Sequence, residues 1–177
     1  MGKRDESKVY GVNACRALFL RRAQAIVRVY IREDRVPAFR DLLAMCARVR
    51  LPYRVVPDGD LEAVTESRHH EGICIVAHPR AAVSLEDLVK TPGPACLLGM
   101  AGVGNPHNVG AILRTGVHFG VRGAVFLQDL PTSDLADDER GFRLSAAAAR
   151  TAQGAAEWLD LVAEADPSHL LRVARAA

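Results

Sequence analysis

Between the apolar run Ala95 to Met100 and the triplet Phe119-Gly120-Val121 the chain reads Asn105-Pro106-His107-Asn108-Val109-Gly110-Ala111-Ile112-Leu113-Arg114-Thr115. This order predicts a strand, a glycine-rich turn and a helix. Asn105 suits the N-cap, where a side-chain oxygen satisfies amides that lack a helical partner. Pro106 suits the first helical position, where a missing N–H is no loss. The amides of His107 and Asn108 are then expected to point outward as an anion site. At helical spacing Val109, Ile112, Leu113 and Gly116 share a core face, while His107, Ala111, Arg114 and His118 share another. A second strand is predicted at Gly123 to Gln128, so the segment is a parallel β-α-β unit with the helix as its crossover.

Upstream, the pattern predicts a helix from Asn13 to Arg22, a strand from Ala25 to Ile31 and a helix from Pro37 to Arg50. In the last of these Phe39, Leu42, Leu43, Cys46 and Val49 form one apolar stripe. A short strand at Tyr53 to Val56 follows, then a brief helix through Val64 capped by Asp58 or Asp60. Ile73 to Ala77 is a β-branched run suited to a buried strand. Thr91-Pro92-Gly93-Pro94 marks a boundary. Beyond the β-α-β unit lie an acidic loop (Asp134, Asp137, Asp138, Glu139), an alanine-rich helix from Ser145 to Leu161 and a short helix starting at Asp166-Pro167. So few parallel strands leave an open sheet edge, which implies a truncated chain or association that completes the sheet.

A chain of 177 residues, 49% hydrophobic and 25% charged, is expected to be globular rather than disordered. No apolar run approaches a membrane span and Met1 to Lys8 is not a signal peptide, so a cytoplasmic protein without membrane contact is expected. Cys15, Cys46, Cys74 and Cys96 form no Cys-x-x-Cys pair and read as buried thiols. The net charge of +2 conceals an asymmetry. Residues 1–80 hold 15 Lys and Arg against 10 Asp and Glu (+5), and residues 81–177 hold 8 against 11 (−3). The excess is mostly arginine, which forks to phosphate and stacks on bases, so Arg16, Arg21, Arg22 and Arg28 are candidate RNA phosphate contacts.

Three segments together are similar to a known family: Val9-Tyr10-Gly11-Val12-Asn13-Ala14 with Ala17-Leu18, His70-Glu71-Gly72-Ile73-Cys74-Ile75-Val76-Ala77, and Asn105 to Thr115 continuing into Val121. They resemble the SpoU (TrmH-type) RNA 2′-O-ribose methyltransferases of the SPOUT superfamily. Arg150-Thr151-Ala152-Gln153-Gly154-Ala155 is similar to a later helix of that family's catalytic domain. The resemblance implies an α/β protein: an L30e-like α/β/α RNA-binding domain over residues 1–78, a linker at 79–94, and over 95–177 the N-terminal portion of a parallel-sheet, trefoil-knot catalytic domain with the knot incomplete.

The resemblance also implies a reaction, the transfer of a methyl group from S-adenosylmethionine to a ribose 2′-hydroxyl in transfer or ribosomal RNA, by a homodimer. Asn108 and Arg114 match the family's ribose-facing asparagine and arginine, with Asn105 and His107 as phosphate contacts beside them. A guanidinium with a pKa above about 12 is a poor base at neutral pH. Arg114 is therefore expected to hold the neighbouring phosphate and favour the developing alkoxide. The family's Gly-x-Glu-x-x-Gly and serine–asparagine motifs have no counterpart in these 177 residues, so this polypeptide alone is expected to bind the methyl donor weakly and to be inactive.

Other readings compete. A basic RNA-binding protein with a remnant catalytic half has the same charge pattern. Gly99-x-x-Gly102-x-Gly104 after a strand, with Asp129 ending the next, resembles a dinucleotide-binding oxidoreductase, although His107 stands where the third glycine belongs. His69, His70, Glu71 and His78 lack His-Glu-x-x-His spacing, so no metal is expected. Trp158 reads as a core or dimer contact, and His107 and His118 as solvent-facing or hydrogen-bonded histidines rather than acid–base catalysts. Ser145 and Thr151, without a nearby histidine and acid, do not form a hydrolase site.

Overall fold

The computed structural model describes residues 6–81, 83–90, 93, 96–127, 144–164 and 166–176. The chain divides after Pro79 into two compact units. The acidic loop expected around Asp134 to Glu139, and Asp129, lie outside the described residues.

The first unit contains β1 (Ser7–Tyr10), α1 (Val12–Arg22), β2 (Ile26–Ile31), α2 (Arg40–Val49), β3 (Tyr53–Val55), α3 (Asp58–Thr65) and β4 (Ile73–Ala77). Its four-stranded sheet runs β1-β4-β2-β3, with β4 antiparallel to both neighbours and β2 parallel to β3. All five residues of β4 are buried, as a strand covered on both faces must be. Ile73, Ile75 and Ala77 join Cys15 and Leu18 of α1 with Leu42 and Cys46 of α2 in one core. Cys74 and Val76 point to the other face, against which α3 packs Leu61 and Thr65. The result is helices α1 and α2 on one side of the sheet and α3 on the other.

Two motifs of this unit meet through one turn. Glu71 (φ 55°) and Gly72 (φ 83°) are both left-handed and the Ile73 amide returns to the His70 carbonyl at 3.1 Å, a tight reversal that glycine makes without a Cβ penalty. The reversal brings Glu71 Oε2 within 2.8 Å of the Val12 amide, capping α1 from a distant segment. The helix expected from Pro37 begins instead as a 3₁₀ segment, Glu33–Phe39, and turns α-helical at Arg40. Val49, placed in the apolar stripe by periodicity, is 52% exposed, because the helix ends there as Arg50 turns left-handed.

The second unit contains α4 (Leu85–Lys90), β5 (Cys96–Met100), α5 (Pro106–His118), β6 (Val121–Leu127), α6 (Ala146–Thr151), β7 (Asp160–Glu164) and α7 (Pro167–Ala176). Among the described residues its three strands are parallel, in the order β5-β6-β7. Ala124 and Phe126 face α5 and α6, while Val125 faces the opposite layer, where Leu85 and Leu88 of α4 pack with Leu170 and Val173 of α7. Each fully buried side chain of this size contributes about 1.5–3 kcal/mol. Within residues 79–94, expected as a linker holding one or two helical turns at Ser84 to Val89, α4 buries Leu85 and Leu88. Arg80 also belongs to this unit, donating to the carbonyls of Ala156 (2.9 Å) and Leu159 (2.6 Å).

The alanine-rich helix is shorter than expected. It stops at Thr151, Gln153 and Gly154 turn left-handed, a 3₁₀ turn covers Ala155–Glu157, and the chain enters a third parallel strand. Gly154 stands where a helix-terminating glycine belongs, and that signal outweighs the alanine composition. Cys15, Cys46 and Cys74 are buried as expected, but Cys96 is exposed, since it opens a strand on the sheet edge. Trp158, expected in a core or a dimer contact, is 53% exposed and so is not a core residue. No helix among the described residues is long and apolar enough to cross a membrane.

Candidate functional site

The start of α5 is capped as its sequence demands, with a consequence for charge. Asn105 Oδ1 accepts from the amides of His107 (2.8 Å) and Asn108 (3.4 Å), and the Asn105 carbonyl accepts from Val109 at 3.0 Å. Pro106 has no amide. The anion site expected on the His107 and Asn108 amides is thus closed by the cap itself: both donors already have an acceptor.

Beside this cap lies an open groove of about 400 Å³, lined by Gly102, Val103, Gly104, Asn105, Asn108, Ala111 and Ile112. It sits beyond the carboxyl end of β5, the end at which parallel sheets bind ligands. A Cβ at Gly102 or Gly104 would meet nothing within 4 Å, so a ligand has access to bare backbone on this wall. The volume is that of a nucleoside-sized ligand site; the Asn108 side chain offers both donor and acceptor to hydroxyls, while Asn105, its Oδ1 engaged in the cap, offers its Nδ2 donors.

Arg114 is exposed, and among the described residues it has no hydrogen-bond or ion-pair partner. It does not line the groove. Six residues of helix separate it from Asn108, which is about 9 Å along the axis and about 120° around it. The fold thus brings Asn105 and Asn108 together and leaves Arg114 on the neighbouring face with His107.

His107 is exposed, with Nδ1 3.4 Å from the Thr151 hydroxyl. The contact is long and no described carboxylate holds the ring, so it is not a nucleophile–base pair. It exists because α5 and α6 pack at Gly110, where a Cβ would stand 2.6 Å from Thr151 Cβ, 2.7 Å from the Ala148 carbonyl oxygen and 2.8 Å from the Ala152 nitrogen. His118 is exposed and edge-on to the Phe119 ring.

The four candidate phosphate contacts separate. Arg16 is exposed over the Phe39 ring, 5.6 Å from its centroid, and Arg21 is exposed. Arg22 donates to the His78 carbonyl. Arg28 is half-buried and paired with Glu6 at 2.5 Å, which sets its guanidinium above its ordinary pKa despite the opposing cost of burial. Arg28 is therefore a structural cation of the sheet, not a free phosphate contact.

The fold also gathers Asp58, Glu62 and His70, whose polar atoms lie within 4.8 Å of one another. The histidine is unsuited to a metal. Its Nδ1 accepts the Gly72 amide at 3.1 Å, so Nε2 carries the proton and turns an N–H, not a lone pair, toward the carboxylates. Asp58 is already bonded to Arg32 at 2.6 Å.

Of this wall of the groove, Gly102 and Gly104 carry a sequence signal only as glycines of the dinucleotide-like fingerprint. Their adjacency to a good N-cap is the signal that could have assigned them to this site.

Residues 8–82 match the family described as RNA 2′-O ribose methyltransferase substrate binding. Over 154 residues the chain is 36% identical to an uncharacterized tRNA/rRNA methyltransferase, YfiF, of Escherichia coli O157:H7, covering 86% of this chain and 41% of that protein. It is 30% identical over 161 residues to the 23S rRNA (guanosine-2′-O-)-methyltransferase RlmB of Pseudomonas putida, covering 88% of this chain and 60% of that one. The chain thus spans about half the length of the curated relatives it matches. Among solved structures, an AdoMet-bound rRNA methyltransferase from Sinorhizobium meliloti superposes with a TM-score of 0.69 at 17% identity, over 97% of this chain and 59% of that one.

Proposed function

The chain belongs to the SpoU (TrmH-type) family, and on that premise we propose that the protein methylates a ribose 2′-hydroxyl of transfer or ribosomal RNA, with S-adenosylmethionine as donor. The supporting observation is the groove at the capped start of α5, where Asn105, Asn108 and bare glycine backbone form a wall suited to a ribose. Residues 1–78 serve as the RNA-binding domain and residues 95–177 carry the first catalytic motif. The substrate makes the protein a cytoplasmic one. Only RNA carries the reacting hydroxyl.

Asn108 orients the ribose by hydrogen bonding. S-adenosylmethionine, when bound, would supply an electrophilic methyl group to the ribose 2′-oxygen, its sulfonium becoming a neutral thioether and the hydroxyl proton passing to water. Arg114 binds the adjacent phosphate and lowers the energy of the oxyanion as it forms.

The position of Arg114 outside the groove supports a second element of the proposal: in a homodimer, Arg114 of one copy serves the groove of the other. Neither the binding-only reading nor the oxidoreductase reading has a comparable observation in its favour.

The test is incubation of the product of the complete reading frame with RNA and methyl-labelled S-adenosylmethionine, followed by nucleoside analysis. Label in a 2′-O-methylnucleoside is expected, and label in a base, or none, overturns the reading. Mixing Asn108→Ala copies with Arg114→Ala copies is expected to restore activity that each lacks. No recovery on mixing overturns the cross-subunit role.

A further inference from the structure

The first unit carries opposite charge on its two helical faces. On α1 and α2 the exposed cations are Arg16, Arg21, Arg40 and Arg48, with Arg50 ending α2, and the only carboxylate on either helix is Asp41. Across the sheet, α3 carries Asp58, Asp60 and Glu62 and no Lys or Arg, with Glu66 directly after it. The two faces also differ in how far their charges are already met. Glu66 is paired with Lys8 at 2.9 Å, Asp58 with Arg32 at 2.6 Å, and Glu62 lies 4.0 Å from Arg68. Arg40, Arg48 and Arg50 have no ion-pair partner among the described residues. The acidic face is partly neutralised from within, whereas these three cations of the basic face are not.

Arg16 sits between the two helices of the basic face, because Phe39, over which its guanidinium lies, directly precedes α2. An arginine held over a ring loses less side-chain freedom when it meets a planar or anionic ligand, and a guanidinium serves both phosphate and base. Leu20, 74% exposed on the same helix, adds apolar surface beside it.

We propose that RNA docks along the α1–α2 face of the first unit, with phosphates on Arg16, Arg40 and Arg48 and with α3 turned away. The proposal rests on the RNA methyltransferase reading and adds to it the face that engages the substrate. Arginine rather than lysine at all five positions fits a nucleic acid, whose phosphates and bases both accept a guanidinium.

Binding of bulk transfer RNA to the full chain, followed by fluorescence anisotropy across a salt series, tests it. Arg16→Gln/Arg48→Gln is expected to weaken binding about tenfold or more and to make the salt slope shallower by about two, one per lost phosphate contact. Arg40→Gln/Arg48→Gln, which leaves the Phe39 contact intact, is expected to do the same, with thermal melts near wild type for both. Asp60→Asn/Glu66→Gln on the other face should bind within about twofold of wild type. Wild-type binding that is unmoved in affinity or slope by the arginine variants overturns the face assignment alone. A wild-type chain that does not bind RNA overturns this inference together with the functional reading.

Discussion

Gly110 and Thr151 are packed so closely that a methyl group on Gly110 would stand 2.6 Å from Thr151 Cβ. Two backbone atoms of α6 and its end crowd the same point. Gly110→Ala therefore has to push the helices apart, at about 1–3 kcal/mol, against a gain in helix preference of about 1 kcal/mol. A net loss is expected, read as a lower Tm and a groove wall displaced at Asn108. An unchanged or raised Tm would show that the helices do not meet here.

Asn105 satisfies two amides of α5 at once. Replacement by alanine is expected to lower stability by about 1 kcal/mol, with aspartate, which can accept the same bonds, close to wild type. Chemical denaturation of the three proteins measures this. Equal midpoints for asparagine and alanine would contradict the cap.

Arg114 is exposed and without a partner among the described residues, so its loss removes no native contact there. Arg114→Ala is expected to melt like wild type, within about 0.5 kcal/mol, while methyl transfer falls by about 10²-fold or more. Lysine should not restore the rate, lacking the planar fork. A variant that keeps half the wild-type rate removes Arg114 from the mechanism.

Thiol chemistry separates the four cysteines. Burial pushes the Cys74 thiol up to about 12 and raises Cys46 as well, whereas Cys96 is exposed. The thiolate is the reactive form. Native protein is expected to release one equivalent of thionitrobenzoate quickly, and Cys96→Ser none. Fast reaction of two or more thiols contradicts the burial pattern.

Asp166 opens α7 by accepting the Ser168 amide at 2.8 Å, and this bond, aided by Arg172, holds its carboxyl below the ordinary 3.8. A depressed folded value means that the stabilisation is present above the unfolded pKa and disappears as pH falls through the folded one. α7 should therefore loosen below about pH 4, and Asp166→Asn should abolish that dependence. Carboxyl titration by NMR checks it, a midpoint at or above 3.8 being the contrary result.

Asn105, Pro106 and the spacing of Val109, Leu113 and Gly116 specify α5 of the second unit by local chemistry alone, and the run Ile73 to Ala77 specifies a buried strand of the first. Strand β7 was not read, because Asp160-Leu-Val-Ala-Glu lacks alternation and follows an alanine run, although Gly154 marked the break. Arg28 was misread as a free cation because its partner, Glu6, is 22 residues away and is delivered by strand pairing.

The sequence by itself determined the elements whose signals are local: the cap of α5, its core stripe, the buried strand β4 and the excess of arginine in the first 80 residues. Caps, periodicity and charge count act over a few residues and need no third dimension. Only the tertiary structure decided that Gly110 serves helix packing, that Arg114 stands apart from the groove holding Asn108, and that arginine and carboxylate collect on opposite helical faces of one sheet. Those outcomes depend on which distant segments become neighbours, and that follows from burying all the apolar faces of a unit together.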